Sequence, residues 1–173
     1  EILQPKPGSV IIDGTLGSGG HARQLIKRIA PGGIFVGVDR DLNAIRMFKN
    51  DDPTVISHVL QASYAQLPEI IKKLGLPKAD GLMLDLGFSS AQLSHGAFSG
   101  RGFSFQADEP LIMTYDEATP PLRDSLQKLS TEELAYVLRE FGEERYNVRI
   151  AEHVGPLARK GMIQTTKDLV KAV

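Results

Sequence analysis

The chain has 173 residues, 42% of them hydrophobic, which is enough for one full domain or a domain with a subdomain. Its formal net charge is −1, so any nucleic-acid surface has to be local, and the absence of cysteine removes thiolate catalysis, disulfides, zinc–cysteine sites and iron–sulfur clusters. No apolar stretch approaches the ~18 residues of a membrane span and no signal-peptide pattern opens the sequence, so the expectation is a soluble, cytoplasmic protein with no membrane role.

Residues 10 to 85 alternate short β-rich runs with helical periods. Val10–Ile12 reads as a strand and is followed by the glycine-dense stretch "DGTLGSGGH". Over residues 20–30, Ala22, Leu25, Ile26 and Ile29 fall at helical spacing, and Pro31-Gly32-Gly33 ends the segment. Ile34–Val38 predicts a second strand, and Asp41–Lys49 a helix with Asp41 in its first turn. Val55–Leu60 predicts a third strand, Leu67–Leu74 a third helix and Leu82–Leu86 a fourth strand. Such alternation means right-handed βαβ units, a parallel sheet and a doubly wound α/β fold. Residues 87–122 are rich in Gly, Ser and Pro. Beyond them Ser130 and Glu133 form a capping box, and Leu134, Val137, Leu138 and Phe141 an apolar stripe. A second helix begins near Glu143 and is expected to kink or break at Gly155-Pro156. Thr165 and Asp168 suit the cap of a third, completing a small helical lobe. The expected division is a sheet domain over 1–110 and a helical lobe over 111–173. The sequence begins without Met and stops inside the periodic "TTKDLVKAV", so both ends read as trimmed.

Glycines after a strand let a ligand approach the free N–H groups of the following helix. No Gly-Lys-Ser/Thr follows, which excludes a phosphate P-loop. Gly17, Gly19 and Ala22 satisfy the G-x-G-x-x-A dinucleotide pattern, with Asp39 about 20 residues on. Asp13, at the end of the first strand, repels a pyrophosphate but suits a ligand with an ammonium group, such as S-adenosylmethionine. Asp39 suits ribose hydroxyls, which both cofactor classes carry. Asp85, at the end of the fourth strand, is placed to reach the same crevice. Each acid also suits a plainer role: Asp13 and Asp85 as turn caps, Asp39 as a solvated residue of "DRD".

"DGTLGSGGH", "GVDRD", "DGLMLDLGFSSAQL", "RGFSF" and "FGEERY" occur in the order and rough spacing of the MraW family of 16S ribosomal RNA cytosine-N4 methyltransferases, which the chain resembles over nearly its whole length. The resemblance implies a Rossmann-like class I methyltransferase fold with a helical insertion after the fourth strand, and S-adenosyl-L-methionine as cofactor. It places Gly19, Gly20 and His21 in the cofactor loop, Asp39 on the ribose, Tyr64 beside the adenine, and Asp85 and Gln92 among the remaining cofactor contacts; the cofactor set is completed by Asp13 and Gly17. It implies 16S rRNA in the small ribosomal subunit as substrate. Asp85 is then the most plausible catalytic proton acceptor, and Arg101, Phe103 and Phe105 are candidates for RNA contact by charge and stacking. The same loop also fits a purely structural role. No metal is expected, and nothing points to a homo-oligomer.

The chain departs from the family in "DEPLIMTYD", where Ile112 stands for an acid and Thr114 for an arginine. Two rival readings remain at this point: an NAD-dependent oxidoreductase, from the glycine pattern and Asp39, and a cofactor-binding module without activity, from Ile112 and Thr114. With four strands in the methyltransferase order 3-2-1-4 that the resemblance implies, the fourth becomes an apolar edge, which favours a chain that is part of a longer protein.

Overall fold

The computed structural model describes residues 3–76, 78–87 and 100–173, which fall into two compact units, Glu1–Ala91 and Gln92–Val173. The first unit carries β1 (Val10–Asp13), α1 (Gly20–Ile29), β2 (Ile34–Asp39), α2 (Leu42–Met47), β3 (Ile56–Gln61), a 3-10 turn at Tyr64–Gln66, α3 (Leu67–Lys73) and β4 (Gly81–Met83). All strand pairings are parallel, as expected from the βαβ alternation, and the order is β3-β2-β1-β4, the order that the family resemblance implies.

The alternation of side chains along each strand sorts the core into two layers. Ile11 and Phe35 pack with Ala22, Leu25, Ile26 and Ile29 of α1 and with Phe48 after α2. Ile12, Val36 and Val38 pack on the opposite face with Leu67, Ile70 and Ile71 of α3. Helices therefore cover both faces, which is the doubly wound arrangement. Because Asp13 follows Ile11 by two residues, it shares the α1 face of β1. In register it lies between Gly37 of β2 and Met83 of β4.

β4 is shorter than the expected Leu82–Leu86. Pairing with β1 ends at Met83, where β1 itself ends, so Asp85 lies two residues beyond the strand. Leu82, Leu84 and Leu86 are all exposed along this edge.

The second unit contains α4 (Leu122–Lys128), α5 (Thr131–Glu140), α6 (Asn147–Arg159) and α7 (Thr166–Ala172) around a core of Leu111, Leu126, Leu134, Ala151, Val154, Ala158 and Ile163. The capping boxes of Ser130 with Glu133 and Thr165 with Asp168 both form. α6 runs through Pro156 instead of breaking there. Ala151, Val154, Gly155 and Ala158 are buried on one face, and this packing outweighs the hydrogen bond that proline removes. The apolar stripe of α5 is rotated from the expected one. Leu134, Ala135 and Leu138 face the core, whereas Val137 and Phe141 are exposed.

The boundary between units at 91/92 falls ahead of the expected division at 110/111. Residues 100–110 are tied into the helical unit by side-chain and backbone bonds. The buried Thr166 hydroxyl donates to the Ala107 carbonyl at 2.6 Å and accepts the Glu109 N–H at 3.1 Å. The Glu109 carboxylate accepts the Gly102 N–H at 2.9 Å, and Leu111 N–H donates to the Gln164 carbonyl at 2.8 Å.

Candidate cofactor site

The carboxyl ends of β1, β2 and β4 converge on the loop 14–19, the position at which open parallel sheets hold ligands. The loop is anchored from below: Gly14 N–H donates to the Met83 carbonyl and Leu16 N–H to the Val38 carbonyl. Gly17 and Gly19 take positive φ, 51° and 77°. At Gly19 a Cβ would also run into the Phe48 ring, so the position excludes a side chain twice over. Gly20, by contrast, faces open space. α1 has no side-chain cap, and its first intrahelical bond is Arg23 N–H to the Gly19 carbonyl. The N–H groups ahead of it, together with the helix dipole, favour electron-rich groups at this end.

Three carboxylates surround the loop, each in a different state. Asp39, at the end of β2, accepts the Gly17 N–H at 2.7 Å on one oxygen and the Asp41 N–H at 2.8 Å on the other. Asp41 in turn caps α2 through Asn43 N–H. Asp85 is exposed; its backbone N–H donates to the Thr15 hydroxyl at 2.7 Å, and its carboxylate lies 3.7 Å from His21 Nε2. That separation between two exposed groups gives little net attraction. Asp13 is fully buried. Its Oδ1 accepts the Thr15 N–H at 3.0 Å, and its Oδ2 has no hydrogen-bond partner among the described residues. Burial pushes the Asp13 carboxyl up to about 6; the Thr15 N–H and His21 pull it back, and Asp39 and Asp85 add to the rise.

Of the expected cofactor residues, Asp13, Gly17, Gly19, Gly20, His21, Asp39, Tyr64 and Asp85 all lie at this edge of the sheet. Tyr64 opens the 3-10 turn after β3, half-exposed, with its Cβ beside Gly14. Gln92 lies outside the described residues. Thr15 is the residue of this arrangement that the sequence reading missed. It joins Asp13 to Asp85 through its N–H and its hydroxyl, and its only sequence signal is a hydroxyl residue inside a glycine loop. Among the described residues, no cluster of three or more His, Asp or Glu stands in a metal-holding arrangement.

In the helical unit, Arg101 lies 5.4 Å from the Phe103 ring centroid and donates to the Thr114 carbonyl at 3.3 Å, while Phe103 packs on Tyr115 with centroids 5.5 Å apart. Phe105 is 79% exposed. Thr114 is buried, and Ile112 accepts the Leu122 N–H on its carbonyl, so the atypical loop is integral to this unit.

The MraW methylase family model matches residues 1–173. The chain belongs to that family. Its curated relatives include the ribosomal RNA small subunit methyltransferase H of Syntrophotalea carbinolica, 41% identical across all of this chain and 55% of the relative. Proteins of the same name from Geotalea uraniireducens (38% identical, all of this chain and 55% of the relative) and Deinococcus radiodurans (36%, all of this chain and 53%) are similar over the same span. The chain thus covers about half the length of the MraW relatives it matches. The four-stranded parallel sheet with helices on both faces is the Rossmann-like fold expected of a methylase of this family.

Proposed function

We propose that this chain carries the cofactor half, and the start of the substrate lobe, of an S-adenosylmethionine-dependent enzyme that methylates the N4 amino group of a cytidine in 16S rRNA of the small ribosomal subunit, in the cytoplasm. The observation that carries the reading is the pairing of the buried Asp13 Oδ2 with an uncapped helix N-terminus across a glycine loop. An acceptor in need of a cation beside donors in need of an electron-rich group fits an amino-acid zwitterion. It does not fit a pyrophosphate, which Asp13 would repel, so NAD is disfavoured.

The residues present fit S-adenosylmethionine: Asp13, Gly17, Gly19, Gly20 and His21 along the loop, Asp39 and Tyr64 on the nucleoside side, and Asp85 at the end toward the substrate; the resemblance adds Gln92, which lies outside the described residues. When bound, that cofactor supplies a methyl group already activated by its sulfonium. The protein's task is alignment and proton removal. Cytosine N4 is a poor nucleophile because its lone pair is delocalised into the ring. Asp85 is exposed, and its backbone N–H is held by Thr15, so its carboxylate is free to accept an N–H of the amine and take its proton. Arg101, Phe103 and Phe105 are the RNA-contact candidates, with Phe105 the exposed ring available for stacking.

The test is transfer of labelled methyl to small ribosomal subunits lacking the modification, with the full-length protein and its Asp85→Asn variant. Label in cytidine N4 that falls at least 100-fold in the variant is the expected result. Cofactor binding without any transfer refutes the assignment.

A further inference from the structure

The inference rests on the reading of Asp85 as proton acceptor given above, and concerns what holds that residue in place. The ladder between β1 and β4 ends at Asp13 and Met83, and its last tie is the Gly14 N–H, which donates to the Met83 carbonyl at 2.9 Å. Beyond that point the loop turns to β2, where Leu16 N–H donates to the Val38 carbonyl at 3.1 Å. Asp85 thus lies past the last paired residue of an edge strand, between Leu84 and Leu86, both exposed. A continued parallel ladder would offer its N–H a main-chain carbonyl of β1. Here the Thr15 hydroxyl takes that place, accepting the Asp85 N–H at 2.7 Å across 70 residues of sequence. The Thr15 N–H meanwhile donates to the buried Asp13 Oδ1 at 3.0 Å. The Asp85 carboxylate itself lies 3.7 Å from His21 Nε2, a contact between exposed groups that restrains neither firmly.

We propose that Thr15 is a positioning residue for methyl transfer: its hydroxyl stands in for the missing strand partner and fixes the main chain from which the Asp85 carboxylate reaches the amine. The two bonds of Thr15 are separable by chemistry. The one to Asp13 is made by main chain and survives any replacement other than proline, whereas the one to Asp85 needs a hydroxyl. Thr15→Val keeps the β-branched shape and loses the acceptor. Thr15→Ser keeps the acceptor with one methyl less. Because the bond to Asp85 is exposed, water replaces the lost acceptor and the fold loses little. Alignment loses more, since a displacement of about 1 Å at a reacting group costs about 100-fold in rate. Thr15 therefore acts on transfer, through Asp85, and not on cofactor capture.

The test uses the full-length protein and reads amide hydrogen exchange, cofactor affinity and transfer side by side. In Thr15→Val the Asp85 amide is expected to exchange about 10-fold faster, while the Gly14 and Gly17 amides, bonded elsewhere, keep their protection. Affinity for S-adenosylhomocysteine, by titration calorimetry, stays within about 3-fold. The kcat for transfer to unmethylated small ribosomal subunits falls about 10- to 100-fold, with KM for the methyl donor unchanged. Thr15→Ser recovers both the protection and the rate. In an Asp85→Asn background Thr15→Val brings no further loss, because a residue that acts through Asp85 has nothing left to align. If valine does not fold in this place, Thr15→Ala removes the same hydroxyl and is read in the same way. Unchanged exchange at Asp85, a rate that holds, a rate that falls only in step with cofactor affinity, or a full loss that persists beside Asp85→Asn overturns the proposal alone. A wild-type protein that binds S-adenosylhomocysteine and transfers no methyl, or an Asp85→Asn variant with full activity, overturns the reading of Asp85, and the proposal with it.

Discussion

In the ligand-free protein, Asp13→Asn should change the pH dependence of stability more than stability itself. The Asp13 carboxyl rises from 3.8 to about 6 on folding. Between those two values the native protein holds a proton that the unfolded chain has lost. Stability therefore falls as pH rises through this window and stays lower above it. The displacement corresponds to about 3 kcal/mol. Asparagine keeps the acceptor for Thr15 N–H and removes the titration, at the cost of an amide N–H₂ set where Oδ2 now lies bare. That unsatisfied donor costs about 1–3 kcal/mol at every pH. At pH 4 the variant is therefore the less stable protein, and near pH 7 the two converge or cross. The decisive quantity is the change in their difference, about 2 kcal/mol between pH 4 and pH 7, read by urea unfolding followed by far-UV circular dichroism. Parallel profiles for wild type and variant would show that Asp13 ionises as readily in the fold as out of it, and would remove the argument from burial.

Gly19→Ala should lower both thermal stability and adenosylhomocysteine binding, since a positive φ costs roughly 1–2 kcal/mol and the new Cβ meets Phe48; Gly20→Ala, in open space, should lower binding while the melting temperature holds, as a thermal-shift comparison with and without ligand would reveal. Thr166→Val breaks the two bonds that hold Ala107 and Glu109, both made by a buried hydroxyl, and should destabilise the helical unit by about 2–3 kcal/mol, measured by chemical denaturation. Phe105→Ala should leave stability within about 0.5 kcal/mol, because the ring is 79% exposed, and should weaken binding to an rRNA fragment in a gel-shift assay.

Much of the sheet unit was legible because local signals and packing agree. The spacing of Ala22, Leu25, Ile26 and Ile29 predicts the buried face of α1, the strand–helix alternation predicts a parallel sheet, and the family resemblance supplies the order β3-β2-β1-β4. Ser130 and Thr165 cap their helices because a capping box needs only residues within one turn. The misreadings come from long-range contacts. β4 stops at Met83 because its partner stops, although Leu84 and Leu86 continue the apolar run. Val137 and Phe141 match the period of α5 but lie off the face that α6 covers. Pro156 carries a strong local signal to break, overridden by burial of the residues around it. At the site, the acids were legible by type and position, while their differing states were not. Nothing in "DGTLG" tells that Thr15 joins Asp13 to Asp85, since that bond spans 70 residues.

Asp39 carries one more consequence. Its two oxygens clasp Gly17 on one side and Asp41 on the other, so the glycine loop is braced by the protein's own groups. Little chain ordering is left for association to demand, which favours fast capture over slow tightening. The same clasp complicates mutagenesis at this position. An asparagine turned the wrong way would aim an amide N–H₂ at Gly17 N–H, donor against donor. Weak binding by an Asp39 variant therefore measures a collapsed loop as much as loss of the proposed ribose contact, and Asp39→Glu, which keeps both acceptors on a longer arm, separates reach from bracing.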